Sequence, residues 1–597
     1  MNFLFKLQYL QKNSNRFYLT GIVLFAIAFV YWPIIFSASG DIRIVDAFNT
    51  DEVDFLISLL NAYNNGTFEI GHYEYGLLYY NVGLIFFNIV GVFTPITEQV
   101  GVVIMRFLSC LFLVGTAVVL RQFAKKHMES AKELVFVLVL FSSATLINYG
   151  TMLHPDVAQV FFVALSLFYI ADYVKLPSVK SIVLSSLFAG FAFSTKYVGV
   201  ALLPILWFFF FFKRPIFFKQ QSAKTSSILL IPLSVFAAFL ANPEFYASYL
   251  TPNNEISSSI LTTISGVRVI AIVLFFFGLS TFFYQKYIVR IENIKWGAIV
   301  SMASSGIFVL AFSAGSAQGI RGFNFLNGIV AVASVHKDGH WFRDETGLWG
   351  WLEIIIQPHV VTMVWSSIAL IGILVILYQL IRSDKKQVNL ILAIPFLWIL
   401  VFCFVIVFRV KSHFAHYLIP ILPFCFIYAA FGLSLFIDKV NNRWLKQYLN
   451  IRYSGVIVLG VLLIFSSWKA VEYSNNRVAK FENSPELKAG IWLSENVNKK
   501  VFISSDKYTY IPKNENLGFR HYWGLSNEII RNDNPDYLII NYHTFQWFLK
   551  ASAVETYLHG REIFLERNTL YHKLLEDKHE QFKLVADFDA VKVFEKK

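Results

Sequence analysis

The chain has 597 residues, 56% of them hydrophobic and only 15% charged, with 62 Phe and a mean hydropathy of +0.55. A soluble domain carries about 25% charged residues, so most of this chain is not built for water, and the expected class is a polytopic α-helical membrane protein. The formal net charge of +12 is a matter of topology, and nucleic acid is not an expected partner.

Apolar stretches recur at 17–39, 101–120, 134–152, 157–174, 181–198, 200–212, 226–249, 267–285, 297–317, 360–381, 388–408, 414–437 and 454–468. A helix needs about 20 residues to cross the hydrocarbon, so the expectation is about 13 transmembrane helices, with 181–198 and 200–212 marginal in length. The short loops test the sidedness. With the N-terminus inside, the interior loops carry 23 Lys and Arg and the exterior segments before residue 468 carry 7. That asymmetry predicts a cytoplasmic N-terminus. The first apolar stretch is too long for a signal-peptide core and lacks a small-residue cleavage site. Cys110, Cys403 and Cys425 all fall in apolar spans, so neither a disulfide framework nor a zinc motif is expected.

The first outer segment, 40–100, is long. Within it, 46–63 has helical apolar spacing (Val53, Leu56, Ile57, Leu60) opposite polar positions, which predicts a helix lying in the membrane interface. The piece "LLYYNVGLIFFNIVGVF" at 77–93 resembles a span, but a crossing there would turn every later basic loop outward; it is read as interfacial or re-entrant. Asp51 and Glu52 then stand at the outer membrane surface. Asp51 is expected to share a cavity there with the acidic residue of the next outer turn, "TMLHPDVAQ" at 151–159, which carries His154 and Asp156 after Pro155. "FSTKYVG" adds Lys196, and "FRVKSHFAHYLIPILPF" at 408–424 adds Arg409, Lys411, His413 and His416. Arg106 lies inside the span that follows the first outer segment. "HKDGHWFRDE" at 336–345 offers His336, Asp338, His340 and Asp344 as a possible divalent-cation site against a solvated-loop reading; no cofactor is otherwise indicated.

Beyond about residue 469 the composition changes. "ELKAGIWLSENVNKKVFISSD" predicts a helix then a strand, "NPDYLIIN" a turn then a buried strand, and "KLVADFDAVKVFEKK" a terminal strand or hairpin. The expected organisation is a transmembrane domain, 1–468, and a soluble α/β domain, 469–597, that caps the outer face. No phosphate loop or nucleophile elbow occurs in it.

The order of these motifs, an outer "DE" after the first span, an outer "HPD", "GFAFSTKYVG", "HYLIPILPF", then "IWLSENV" and "NPDYLII", resembles the C-type integral-membrane glycosyltransferases, closest to the protein mannosyltransferase and lipid A aminoarabinose transferase group. The resemblance implies a polyprenyl-phosphate-linked sugar donor, a lipid, glycan or protein acceptor reached on the outer face, and inversion at the anomeric carbon. It makes Asp51 the general base, Glu52 its neighbour and Asp156 the second acidic residue. Family members often carry a Lys-Pro-Pro where this chain has Glu74-Tyr75-Gly76 in "HYEYGLLYY". Phosphate binding therefore falls to other groups, with Arg106, His154, Lys196, Arg409, Lys411 and His413, together with Tyr73 and Glu74, as substrate-binding candidates. Inverting transfer needs a carboxylate to take the acceptor's proton and cations to stabilise a lipid phosphate leaving group. A transporter or flippase, and an oligosaccharide ligase or polymerase, are the alternatives. A transporter expects ionisable groups deep inside spans, a pattern met here only by Arg106 and Arg268.

Overall fold

The computed structural model describes residues 19–212, 292–317, 324–338, 348–361, 363–382, 386–410, 413–440, 454–550, 554 and 557–597. Arg268, Lys411, His340 and Asp344, and the expected spans 226–249 and 267–285, lie outside them. So do the side chains of Arg409, His336 and Asp338.

The N-terminal part is all helix, as the unbroken apolar runs require. Among the described residues, Leu19–Phe36, Glu98–His127 and Asp156–Lys175 are long and apolar enough to cross a bilayer, and seven shorter apolar helices accompany them. The count of thirteen thus rests on the hydropathy pattern. The protein is an integral membrane protein built around one apolar helical core.

Three local features depart from the sequence reading. The 134–152 stretch is two helices, Lys132–Phe141 and Ala144–Tyr149, interrupted at Ser142 and Ser143. The Ser143 hydroxyl accepts the Leu146 amide at the new N-terminus, and a capping serine turns one apolar run into two helices. The last membrane helix does not stop at 468. Ser454–Asn483 continues past residue 469, where composition shifts, and the sheet begins only at Val501. In the first outer segment, helix Thr50–Asn64 buries Val53, Leu56, Leu59 and Leu60, whereas Ile57 is exposed. Leu78–Gly91 has 14 residues and sinks Tyr79, Tyr80, Leu84 and Phe87 into a second core shared with Thr50–Asn64.

The C-terminal domain is a five-stranded mixed sheet in the order β2-β1-β3-β5-β4, with β1 Val501–Asp506, β2 Leu517–Tyr522, β3 Tyr537–Asn541, β4 Phe582–Phe588 and β5 Val591–Lys596. β2, β1 and β3 run parallel, and the β4–β5 hairpin closes one edge antiparallel. β3 is buried at every position, as "YLII" suggests. Asn534 ends the preceding helix in the left-handed conformation, φ 44°. Tyr510 ties the domain to the first outer segment by donating to Asp41 at 2.9 Å, and Phe48 meets Phe481 edge to face.

Candidate functional site

Glu52 and Asp51 are neighbours on one helix with opposite fates. Glu52 is buried and forms a forked pair with Arg106, Nε to Oε1 at 2.6 Å and a terminal nitrogen to Oε2 at 3.0 Å. The remaining guanidinium nitrogen donates to the carbonyls of Ile35 and Ser37 at 3.2 and 2.8 Å, which the end of the first helix leaves without helical partners. Glu52 also accepts the Leu153 amide at 3.0 Å. One ion pair therefore joins the first helix, the first outer helix, the Glu98–His127 helix and the "HPD" turn. All three guanidinium nitrogens of Arg106 are engaged in this arrangement.

Asp51 is exposed, and among the described residues no hydrogen bond or ion pair engages it. Its charge is felt on two sides. Burial pushes the Tyr75 phenol well up, and the Asp51 and Asp156 carboxylates push it further. In the C-terminal domain, burial and then Asp51 and Asp46 push Tyr508 up to about 12. Asp51 thus lies between the outer segment and the sheet domain. The sequence expects it to share a hollow with Asp156, but the structure leaves Asp51 open and closes Asp156 completely.

Asp156 opens the Asp156–Lys175 helix, where the helix dipole favours an anion. Lys196 lies 2.5 Å from one carboxylate oxygen and His154 Nδ1 lies 3.0 Å from the other, close but not aligned as a hydrogen bond. Lys196 is set by a sharp change of direction: the Val179–Thr195 helix ends at it in extended backbone, and its carbonyl accepts from Gln159. Its ammonium also stands over the Tyr75 and Tyr417 rings at 5.2 and 5.9 Å. Aromatic rings enclose the group. Tyr75 and Tyr149 meet His154 edge to face, and Tyr149 stacks on His416 at 5.5 Å. His416 therefore belongs to this cluster, while His413 packs against Trp351 at 4.6 Å.

The outer loop that replaces the Lys-Pro-Pro signature lies flat on the helices. A β-carbon at Gly76 would meet the Ser194 carbonyl at 2.1 Å, so only glycine admits this approach. Tyr73 offers its carbonyl to the Tyr197 hydroxyl at 2.9 Å, and Glu74 sits exposed beside His72.

One cavity borders this cluster through Tyr149 and His416, and another lies apart from it. A polar one of about 200 Å³ is lined by Asn148, Tyr149, His359, His416 and Tyr473 among others. An apolar one of about 670 Å³ runs between the first helix and the Ser454–Asn483 helix. The sequence reading did not single out His359, Tyr473 or Arg477, whose Nε is buried without a hydrogen-bond partner. Tyr473 and Arg477, on the Ser454–Asn483 helix, fall beyond the apolar span, where the sequence reads as the start of the soluble domain. Among the described residues no three His, Cys, Asp or Glu side chains converge on a metal position.

Residues 82–241 match the profile of the dolichyl-phosphate-mannose-protein mannosyltransferase family. The chain is also similar to the Archaeoglobus fulgidus oligosaccharyltransferase in the apo form, at 12% identity and a TM-score of 0.49 over 92% of this chain and 72% of that one. ArnT from Cupriavidus metallidurans in the apo state is similar at 11% identity, with a TM-score of 0.44 over 97% and 98% of the two chains. The same protein bound to undecaprenyl phosphate gives 11% identity and a TM-score of 0.42 over 97% of each. No curated protein matches the chain. The resemblance to the C-type glycosyltransferases read from the motifs is supported by the profile match.

Proposed function

We propose that the chain is an inverting glycosyltransferase that moves a sugar from a polyprenyl-phosphate donor to a lipid, glycan or protein acceptor at the outer face of the cytoplasmic membrane. Its N-terminus faces the cytoplasm and its sheet domain the outside, in keeping with the 23 to 7 distribution of basic residues. The observation that carries the reading is the division of labour in the acidic pair: Glu52 is locked to Arg106, and the adjacent Asp51 is held at a fixed place with an open carboxylate. A general base needs that combination of fixed position and an unoccupied proton site.

In the proposed step an acceptor hydroxyl oxygen attacks the anomeric carbon and its proton passes to Asp51. The carbon–oxygen bond to phosphate breaks on the opposite face, and the polyprenyl phosphate leaves with the electron pair. Glu52 and Arg106 act as positioning residues. Buried Asp156 and His154 act through Lys196, whose ammonium they hold over the Tyr75 ring.

Turnover of a radiolabelled polyprenyl-phosphate sugar, with and without Asp51→Asn, tests this. Loss of about 100-fold or more in product is expected, the usual scale for removing a general base. Undiminished product in the variant overturns the assignment, and translocated lipid with no glycosyl product from the unmodified chain overturns the enzyme.

A further inference from the structure

β2, β1 and β3 are parallel, so Tyr522, Asp506 and Asn541 end them along one edge of the sheet. Open α/β sheets take ligands outside the carboxyl ends of their strands. Here that edge meets the first outer segment: Tyr510, just past β1, donates to Asp41 at 2.9 Å.

Two strained or close-packed turns shape the edge. Tyr508 reverses the chain after β1 with φ 65°, a left-handed conformation unfavourable for an aromatic residue. Its neighbours hold it there. The Tyr508 carbonyl accepts the Asn541 side-chain amide, and the Thr509 hydroxyl donates to the Asp506 carbonyl at 2.8 Å. Such strain persists only where the surroundings enforce it, and it collects at ligand sites. After β2 the second turn passes through Gly524, φ 88°, where a β-carbon would lie 2.8 Å from Phe548 and 3.0 Å from Arg567. That turn fixes Trp523, whose carbonyl accepts from Arg567 at 2.8 Å.

The turns bring their rings together. Tyr508 and Trp523 meet edge to face at 5.4 Å, and His543 lies 6.3 Å from Tyr508. The Lys507 ammonium stands over Trp523 at 5.3 Å. Trp523 still keeps 37% of its surface exposed, and His543 is exposed. Burial, then Asp51 and Asp46, raise the Tyr508 phenol, which places the open Asp51 carboxylate beside this cluster.

Aromatic rings bordered by an ammonium, an imidazole and a phenol suit one class of ligand. A pyranose has a face of C–H bonds, slightly positive, that packs on the negative face of an aromatic ring. Its rim of hydroxyls takes hydrogen bonds from the polar border. An extended peptide is read along an open strand edge, whereas β1 is paired on both sides.

We propose that Tyr508 and Trp523, with Lys507 and His543, bind the acceptor, and that this acceptor is a saccharide. Its ring packs on the exposed surface of Trp523, and its attacking hydroxyl points across the seam to Asp51. The use of the bound saccharide as acceptor rests on the glycosyltransferase reading; the binding does not.

Saturation-transfer NMR on full-length protein in nanodiscs of neutral lipid tests it, with mannohexaose, maltohexaose and N-acetylchitohexaose as probes. At least one is expected to bind, because all present a pyranose face. Tyr508→Gly keeps the turn, since glycine takes it without strain, and is expected to weaken binding about tenfold or more. Trp523→Ala is expected to do the same, and Trp523→Phe to recover part of the loss. Failure of every probe to bind, or binding indifferent to both Tyr508→Gly and Trp523→Ala, overturns the proposal. A short peptide of Ser, Thr and Gly that binds in their place, with the same dependence on both rings, overturns it in favour of a peptide acceptor. If Trp523→Ala fails to fold, Tyr508→Gly and Trp523→Phe decide. Saccharide bound with this dependence, but no sugar transfer by any form, overturns the enzymatic reading and leaves the site standing. Transfer that requires Asp51 but neither ring overturns the site and leaves the enzyme standing.

Discussion

Two aspartates are wholly withdrawn from water, Asp156 in the helical part and Asp506 in the sheet domain, and the molecule treats them differently. Asp156 has a cationic side chain in contact, Lys196 at 2.5 Å, with the His154 imidazole at 3.0 Å. Asp506 has neutral donors in contact, the Tyr571 hydroxyl at 2.7 Å and the Asn541 amide at 3.0 Å. Burial without a contacting cation pushes Asp506 up to about 7, against a usual 3.8. The contrast teaches where charge is being kept: around Glu52 and Asp156 in the helical part anions and cations are assembled at close range, whereas the sheet domain stores a carboxyl that can hold its proton near neutrality.

The comparison is broken most forcefully at the other buried carboxylate of the helical part. Glu52→Gln leaves Arg106 buried beside a neutral partner and is expected to cost about 3–5 kcal/mol of stability, read as a fall in the thermal midpoint. An apolar replacement of both residues should lose much less, because no charge is then stranded. Lys196→Met strips Asp156 of its closest cation and should cost about 1.5–3 kcal/mol; adding Asp156→Asn in the same chain should recover part of that, and a double-mutant cycle measures the coupling.

Asp506 sharpens the contrast through pH. Its folded pKa is raised, so the folded chain binds a proton more tightly than the unfolded one between about pH 4 and pH 7. Its contribution is full below the unfolded value and is lost as pH rises through the folded value. In mid-window the loss is about 1.4 kcal/mol per pH unit, and Asp506→Asn should remove that slope from the unfolding of the sheet domain. A slope that survives the substitution assigns the proton elsewhere. The smallest effect belongs to the joint between the two regions. Tyr510→Phe removes the hydrogen bond to Asp41 and should cost about 0.5–1.5 kcal/mol, seen as faster hydrogen exchange in residues 41–46.

Much of the architecture was legible in the chain. The helical membrane part, the helix over Thr50–Asn64, the strand in "NPDYLIIN" and the terminal hairpin all appear where hydrophobic period and turn residues place them. The misses share a cause. Ser143 splits a span because a side-chain cap competes locally with helix continuation, which a hydropathy window averages away. Ile57 was assigned to the buried face, but Leu59 takes that place, because the neighbouring helices determine which part of a broad apolar stripe is covered. The helix past residue 468 escaped because hydropathy records where the bilayer ends, and a helix need not end with it.

At the site, composition and order marked Asp51, Glu52, His154, Asp156 and Lys196; the structure brings Asp156, His154 and Lys196 into contact and joins Glu52 to the same turn through the Leu153 amide, while Asp51 stands open. Sequence alone did not divide the labour within the acidic pair. Successive helical residues point about 100° apart, so Asp51 and Glu52 were bound to face different surroundings. Which of them faces a guanidinium was decided by Arg106, brought in from 54 positions away by tertiary packing. Arg477 was invisible for the same reason: a basic residue just past an apolar span reads as solvated until the fold buries its Nε.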